Sequence, residues 1–407
     1  DVGLSLEQVV QTTSDELVVV KEEDANLLTG RVVGGRRRGA GGGRGIGGRA
    51  SCGVGHRVSV PYSPPRGDLR PSRVVSRDRI VLHVTTSLVD ADARAVVEAA
   101  TRAPSVLNTQ PWRWDVSADE HGTLFELFAD SARVLRVTDP LGRFLVISCG
   151  AGLFNARLAL RTQSLEPLVR LAPDPHDPRL LARVTATPGK PPTPDERWLH
   201  GAIPERHTNR GPFHNRELGS GLVRRVVDAA AAEGAVLTVL DSAAAQRVLE
   251  IADQAAVEIA RDGRRHDELS SWVRSRPGTD GIPAQAMARP ATSGQGVRDF
   301  DPDHTLPIDD TGDFEADPTI AVLSTYGDSR TDWLRAGQAL QRVLLEATLD
   351  GVQASFRNEP LEMLAHRWRV RDATTGFGHP QMVMRLGYGN PTVSAARRSV
   401  DEVLDQR

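Results

Sequence analysis

The residues in this chain best suited to chemistry are arginines and amides. Arg206-His-Thr208-Asn209-Arg210 sets two guanidiniums four residues apart, with a hydroxyl and an amide between them. Guanidinium forks donate bidentately to phosphate, so the segment could hold an anion; a solvated charged loop has the same composition. A second pair, Arg397-Arg398, stands before Ser399-Val-Asp-Glu-Val-Leu404, where the plainer alternative is an ordinary cap on a helix that opens with acids. Asn108 and Gln110 offer amide donors and acceptors, although Asn108 before Pro111 is also what closes a turn. Cys149 falls at a helix entrance, which favours a thiolate, yet a lone cysteine there is more often a small buried filler. There is no H-E-x-x-H, no G-x-S-x-G and no paired-cysteine motif, and the histidines show no metal-ligand spacing. No acid–base catalyst and no metal site is therefore expected.

The chain has 407 residues, a formal net charge of −3, 39% hydrophobic and 4% aromatic residues. No run approaches the ~18 apolar residues of a membrane helix, and no charged-then-apolar signal pattern opens the sequence. Two cysteines, Cys52 and Cys149, exclude a disulfide framework and an all-cysteine metal site. These features predict a cytoplasmic protein that engages no membrane. Lysine occurs only at Lys21 and Lys190, so the positive charge is nearly all arginine, as GC-rich codon usage produces.

Residues 1–83 differ from the rest. An acidic stretch is followed by a Gly/Arg-rich tract with no apolar periodicity, and we expect this segment to be disordered. Gly43-Arg-Gly45-Ile-Gly-Gly48 matches G-x-G-x-x-G by coincidence, since no helix follows it. Interleaved aromatics are lacking, which argues against nucleic-acid binding. No Met precedes Met287, and a start at Val84 would make residues 1–83 upstream sequence.

From Ser87 the elements needed to position the candidate residues emerge. Asp90–Arg102 is amphipathic and must end before Pro104. Strands are expected from Arg113 and over Leu124–Phe128, Leu168–Leu171 and Leu181–Val184, with helices over Ile147–Leu160, Leu222–Ala232 and Leu334–Thr348. Arg385, in the alternating strand Met382–Leu386, is read as surface-facing, and Trp112 as core. Residues 262–317 are rich in Gly, Pro, Asp and Ser, with a helical island at Leu269–Arg274; such a segment is a lid or a disordered insertion.

Ala103-Pro104-Ser105-Val106-Leu107-Asn108-Thr-Gln110-Pro-Trp112 resembles the A-P-S-x-x-N-x-Q-P-W segment of the FMN-dependent nitroreductase family, nearest its Acg-type actinobacterial branch. Asp139-Pro-Leu-Gly-Arg143, Arg206–Phe213, Asp332–Leu340 and His379–Gly389 follow in the family's order, and the match covers residues 85–407. The resemblance implies an α+β nitroreductase-like fold, FMN as cofactor, NAD(P)H as co-substrate and a quinone or nitroaromatic acceptor reduced by ping-pong chemistry. Ala103–Asn108 and Gln110 would face the flavin ring, while Arg206, Thr208, Asn209, Arg210, Arg397 and Arg398 would grip its phosphate. The ring-facing loop precedes the phosphate element, the reverse of an ordinary unit. We therefore expect two fused degenerate repeats, 84–200 and 201–407, with mixed sheets flanked by helices. They would form a pseudo-dimer in one chain around one flavin site, so that a monomer suffices and homodimerisation is optional. The alternative is a non-enzymatic FMN-sequestering protein whose 262–317 lid covers the flavin. Where the family reads small-Ser-Pro-Leu, this chain has Ala354-Ser-Phe356-Arg357-Asn358, on the substrate side.

Overall fold

A computed structural model describes residues 8–11, 17–20, 90–119, 122–274, 278–290, 298–301, 306, 308 and 311–406. The chain divides into two units, 1–79 and 80–407. In the first, Gln8–Gln11 pairs antiparallel with Leu17–Val20. The Gly/Arg tract, its G-x-G-x-x-G and Val84 lie outside the described residues.

The second unit opens with α1 (Asp90–Thr101), which buries Ala93, Val96, Val97 and Ala100 as its period dictates. A hairpin of β1 (Trp112–Asp119) and β2 (Gly122–Ala129) leads to α2 (Arg143–Thr162), then to the antiparallel pair β3 (Leu165–Leu171) and β4 (Leu180–Pro188). After α3 (Pro194–Ala202) the second half follows: α4 (Ser220–Ala232), β5 (Val236–Val239), α5 (Ser242–Ala260), α6 (Gly263–Trp272) and β6 (Thr319–Thr325). It continues through α7 (Arg330–Leu349), β7 (Gln353–Phe356), α8 (Leu364–Ala373), β8 (His379–Gly387), α9 (Val400–Val403) and β9 (Leu404–Gln406).

The two sheets repeat one topology. The first runs β9-β1-β2-β4-β3 and the second β5-β6-β8-β7. In each, one antiparallel pair precedes a long helix, α2 or α7, and a second pair follows it; in the second sheet helices α5, α6 and α8 intervene within the pairs. The second sheet is antiparallel throughout, whereas the first gains a parallel edge from β9, the end of the second half. The chain terminus thus ties the halves together.

Helices α2 and α7 are each 20 residues and cross at glycines. Gly150 and Gly337 are both the eighth residue of their helix. A Cβ on Gly150 would lie 2.4 Å from the carbonyl oxygen of Leu334, and one on Gly337 would lie 2.0 Å from that of Ile147. Leu334 and Ile147 are both fifth residues, so the contact is reciprocal, as at a two-fold interface. One apolar core, including Val97, Trp112, Leu153, Leu334, Val343 and Met384, runs through both halves. By length and composition α2 is apolar enough to cross a membrane, but it is the buried centre of this core.

Helix starts fall earlier than the periodicity alone predicts, because polar caps extend them. Asp139 accepts from the backbone N–H of Leu145 and α2 begins at Arg143. Ser329 and Asp332 form a reciprocal capping box that starts α7 at Arg330. The helical island expected at Leu269–Arg274 is instead α6, capped by Asp262.

Candidate functional site

The loop after α1 carries unusual backbone geometry. Leu107, Asn108 and Gln110 have φ of 47°, 55° and 50°, a region that non-glycine residues avoid. Such strain persists only where surrounding bonds hold it. Ser105 supplies some of them: its carbonyl takes the Asn108 N–H at 3.0 Å and its hydroxyl the Gln110 N–H at 3.0 Å. The Ser148 hydroxyl on α2 accepts from the Val106 N–H at 3.2 Å.

The amides of this loop join distant segments. Asn108 Nδ2 donates to the carbonyls of Gly281 (2.9 Å) and Ala396 (3.1 Å), and its Oδ1 accepts from Arg397 at 3.0 Å. Gln110 Nε2 donates to the Thr279 carbonyl at 2.8 Å, and its Oε1 accepts from the Arg398 N–H at 2.8 Å. These side chains therefore clamp 279–281 and 396–398 onto the first half. Neither lines the cleft described below.

Three arginines gather beside the loop without negative partners. Arg206 donates to the carbonyl of Arg102 at 3.3 Å, and Arg397 to those of Ala103 (3.2 Å) and Ala395 (2.8 Å). Burial first, and then the charges of neighbouring arginines, pull the Arg206 guanidinium down to about 9 and those of Arg210 and Arg397 to about 10. Among the described residues no carboxylate offsets any of the three. The Nε atoms of Arg206 and Arg397 are buried with no hydrogen-bond partner among those residues. Arginine stays protonated in proteins, so the cluster is a fixed positive site short of a counter-charge. A dianion with several acceptor oxygens meets that need.

The cluster borders a cleft enclosing about 730 Å³, open in part to solvent. Pro104, Ser105, Val106 and Leu107 form one wall with Phe144, Ile147 and Ser148 of α2. Thr208 and Arg210 reach it from the second half, with Leu340, Ser355, Phe356 and Met382. The 262–317 segment contributes Ile282, Arg298 and Phe300, and Arg210 and Arg298 both lie over the Phe300 ring, 5.5 and 5.4 Å from its centroid. The cleft is thus mostly apolar, with its cationic end at Arg210.

Other candidate residues serve the scaffold. Arg398 lies 3.6 Å from the Asp130 carboxylate and donates to the carbonyls of Gln110 and Glu402, so it anchors the terminal segment. Asn209 bonds Gln353 Oε1 at 2.6 Å, the Asn390 carbonyl and the Gly211 N–H. Ala103 is buried, its carbonyl taken by Arg397. Arg385 is not surface-facing: it is 1% exposed, pairs with Glu315 at 3.3 Å and stacks on Phe213 and Phe314. Trp112 is fully buried over Gly152. Cys149 is fully buried and burial pushes its thiol far up, so it is inert packing. No group of side chains among the described residues is arranged to hold a metal.

Sequence reasoning singled out Asn358 on the substrate side but missed Arg298, Phe300 and Glu362, which also line the cleft; the 262–317 segment was marked for Arg298 and Phe300 only as a whole, and Glu362 had no signal.

Fold and site define an α+β protein with two sheets flanked by helices and an arginine-rich cleft beside the loop after α1. No family model matches the chain. It is 33% identical over 342 residues to "Putative NAD(P)H nitroreductase Rv3131" of Mycobacterium tuberculosis, covering 79% of this chain and 94% of that protein. It is 31% identical over 343 residues to "Putative NAD(P)H nitroreductase acg" of the same organism, covering 80% and 97%. The chain belongs to this Acg-type nitroreductase family. Among solved structures, a nitroreductase with bound FMN from Desulfitobacterium hafniense matches 51% of this chain and 96% of its own, at 13% identity and a TM-score of 0.33.

Proposed function

We propose that the chain is an FMN-binding oxidoreductase that passes hydride from NAD(P)H to a quinone or nitroaromatic acceptor by ping-pong turnover. The observation that carries this reading is the uncompensated cluster of Arg206, Arg210 and Arg397 at one end of an apolar cleft. Its donors fit a flavin phosphate, with the Thr208 hydroxyl beside them. Val106, Leu107, Ile147, Phe356 and Met382 would cover the ring and exclude water. When bound, FMN supplies the two-electron hydride chemistry, which explains why no acid–base dyad is needed to activate a nucleophile. The protein's tasks are binding and orientation, which the clamps of Asn108 and Gln110 serve by fixing the walls.

The reciprocal glycine crossing and the shared sheet order support fused repeats, with one cleft built from both. A monomer then holds every group the site uses. A second reading, FMN storage under a lid, draws on Ile282, Arg298 and Phe300 at the cleft.

The purified full chain should carry yellow FMN absorbance, and anaerobic NAD(P)H should bleach it. A flavin that binds but is never reduced would favour storage. A chain that takes up no FMN would defeat both readings.

A further inference from the structure

The cleft lining also contains a buried carboxyl, beside Arg298, which shares the Phe300 ring with Arg210. Glu362 follows the short turn Glu359–Leu361 and lines the cleft; its side chain is 2% exposed. It is the one carboxyl lining the cleft among the described residues. Arg298 donates to its Oε1, and Arg265 lies 3.5 Å from its Oε2. Both arginines also border a second cavity, lined among others by Ile259, His266, Asp299 and Glu359. The Arg298–Glu362 and Arg265–Glu362 pairs therefore stand in a partition, with the cleft on one side and that second cavity on the other.

The groups facing Glu362 are mixed in sign. Arg298 and Arg265 are direct partners, and Arg143 at the start of α2 adds a further positive charge. Glu359 repels it from the same turn, its own Oε1 taken by Arg357 and its Oε2 left without a partner among the described residues. His266 and Asp299 line the second cavity with Arg265 and Arg298. Burial drives the Glu362 carboxyl up, Arg298 and Arg265 pull it back, and the net position is above the ordinary glutamate range.

We propose that Glu362 is the acid that protonates the acceptor, a step that rests on the oxidoreductase reading. For a quinone, FMN held in the cleft would supply the hydride's electron pair and hydrogen to one carbonyl oxygen. The Glu362 O–H bond breaks as an O–H bond forms at the other oxygen. Quinone, hydride and proton sum to neutral hydroquinone. The carboxylate left behind is held by Arg298 and Arg265 and regains its proton from water in the second cavity.

The test uses full-length, flavin-loaded protein, reduced beforehand and mixed with a benzoquinone across a range of pH. Glu362→Gln should slow quinone reduction by roughly 10²–10⁴-fold and remove the fall in rate on the alkaline side. Arg298→Gln should move that fall to higher pH, because losing a cation makes the carboxyl harder to ionise; a purely structural pair would give no such opposite effects. Infrared titration without turnover gives an independent readout. The wild type should show a protonated-carboxyl C=O band that persists above the usual glutamate pKa of ~4.3 and is missing in Glu362→Gln. If Glu362→Gln loses flavin, the wild-type band and its upward shift in Arg298→Gln decide the matter. A Glu362→Gln protein with unchanged rate and pH profile, or a wild type without that band, overturns the proposal. Absence of FMN binding, or of flavin reduction by NAD(P)H, would instead defeat the parent reading.

Discussion

Replacing Gly337 by alanine tests the crossing on which the whole site is built. The added Cβ would stand 2.0 Å from the Ile147 carbonyl oxygen and 2.8 Å from both the Ala151 nitrogen and the Gly150 Cα. A carbon ordinarily approaches an oxygen to ~3.3 Å, so α2 and α7 must part locally by roughly 1.3 Å. Every atom met is backbone, so no side-chain rotation relieves the clash. Alanine gains ~1 kcal/mol of helix propensity over glycine. Overpacking a core costs ~1–3 kcal/mol, and a backbone clash belongs at or beyond the upper end. The net expectation is a loss of about 2 kcal/mol or more, out of the ~5–15 kcal/mol that holds a domain together. Gly201→Ala is the control: it lies in α3 with nothing within 4 Å of its Cβ and should be neutral or stabilising. Urea denaturation followed by far-ultraviolet circular dichroism measures both. Because Ile147, Ser148 and Leu340 line the cleft from these two helices, FMN affinity should fall with Gly337→Ala as well. Gly337→Ala unfolding at the same urea concentration as Gly201→Ala would refute the close crossing.

Arg206→Ala and Arg397→Ala should each weaken FMN about tenfold or more, since a charge-assisted hydrogen bond is worth ~1.5–3 kcal/mol, and should leave riboflavin binding little changed, as fluorescence titration of the two flavins would show. Arg398→Ala should lower stability more than FMN affinity, given its bonds to Asp130, Gln110 and Glu402; calorimetry beside the same titration separates the effects. Burial raises Asp139 to about 6 despite its helix-capping bonds, so its contribution to stability is complete below the unfolded value of ~3.9 and is lost as pH rises through about 6. Asp139→Asn should therefore flatten the dependence of the urea midpoint on pH between about 4 and 6. Iodoacetamide should modify Cys149 only after denaturation, as peptide mass spectrometry would reveal.

The sequence alone determined the elements and the segments that meet at the site. Apolar spacing made α1, α2, α4 and α7 legible because amphipathic helices repeat their burial every turn, and Pro104 fixed where α1 had to stop. Motif order marked the loop at Ala103–Trp112 and the element at Arg206–Arg210. What each side chain does there was settled only in three dimensions. Arg397 and Arg398 are neighbours of identical chemistry, and just one joins the cationic cluster. The choice follows from the bond between the Arg398 N–H and Gln110 Oε1, which sets the backbone path and turns Arg398 toward Asp130. Asn108 and Gln110 likewise have donors suited to a ligand, but carbonyls from residues 279, 281 and 396 take them first. Glu362 and Arg298 had no motif, since their roles depend on a pairing across 64 residues that no local pattern encodes. The two glycines looked like small residues near helix entrances; that each stands at the eighth position and faces the other's fifth carbonyl is a property of two helices packed together. Periodicity reports which face a residue occupies, whereas partners are fixed by the packing of elements far apart in the chain.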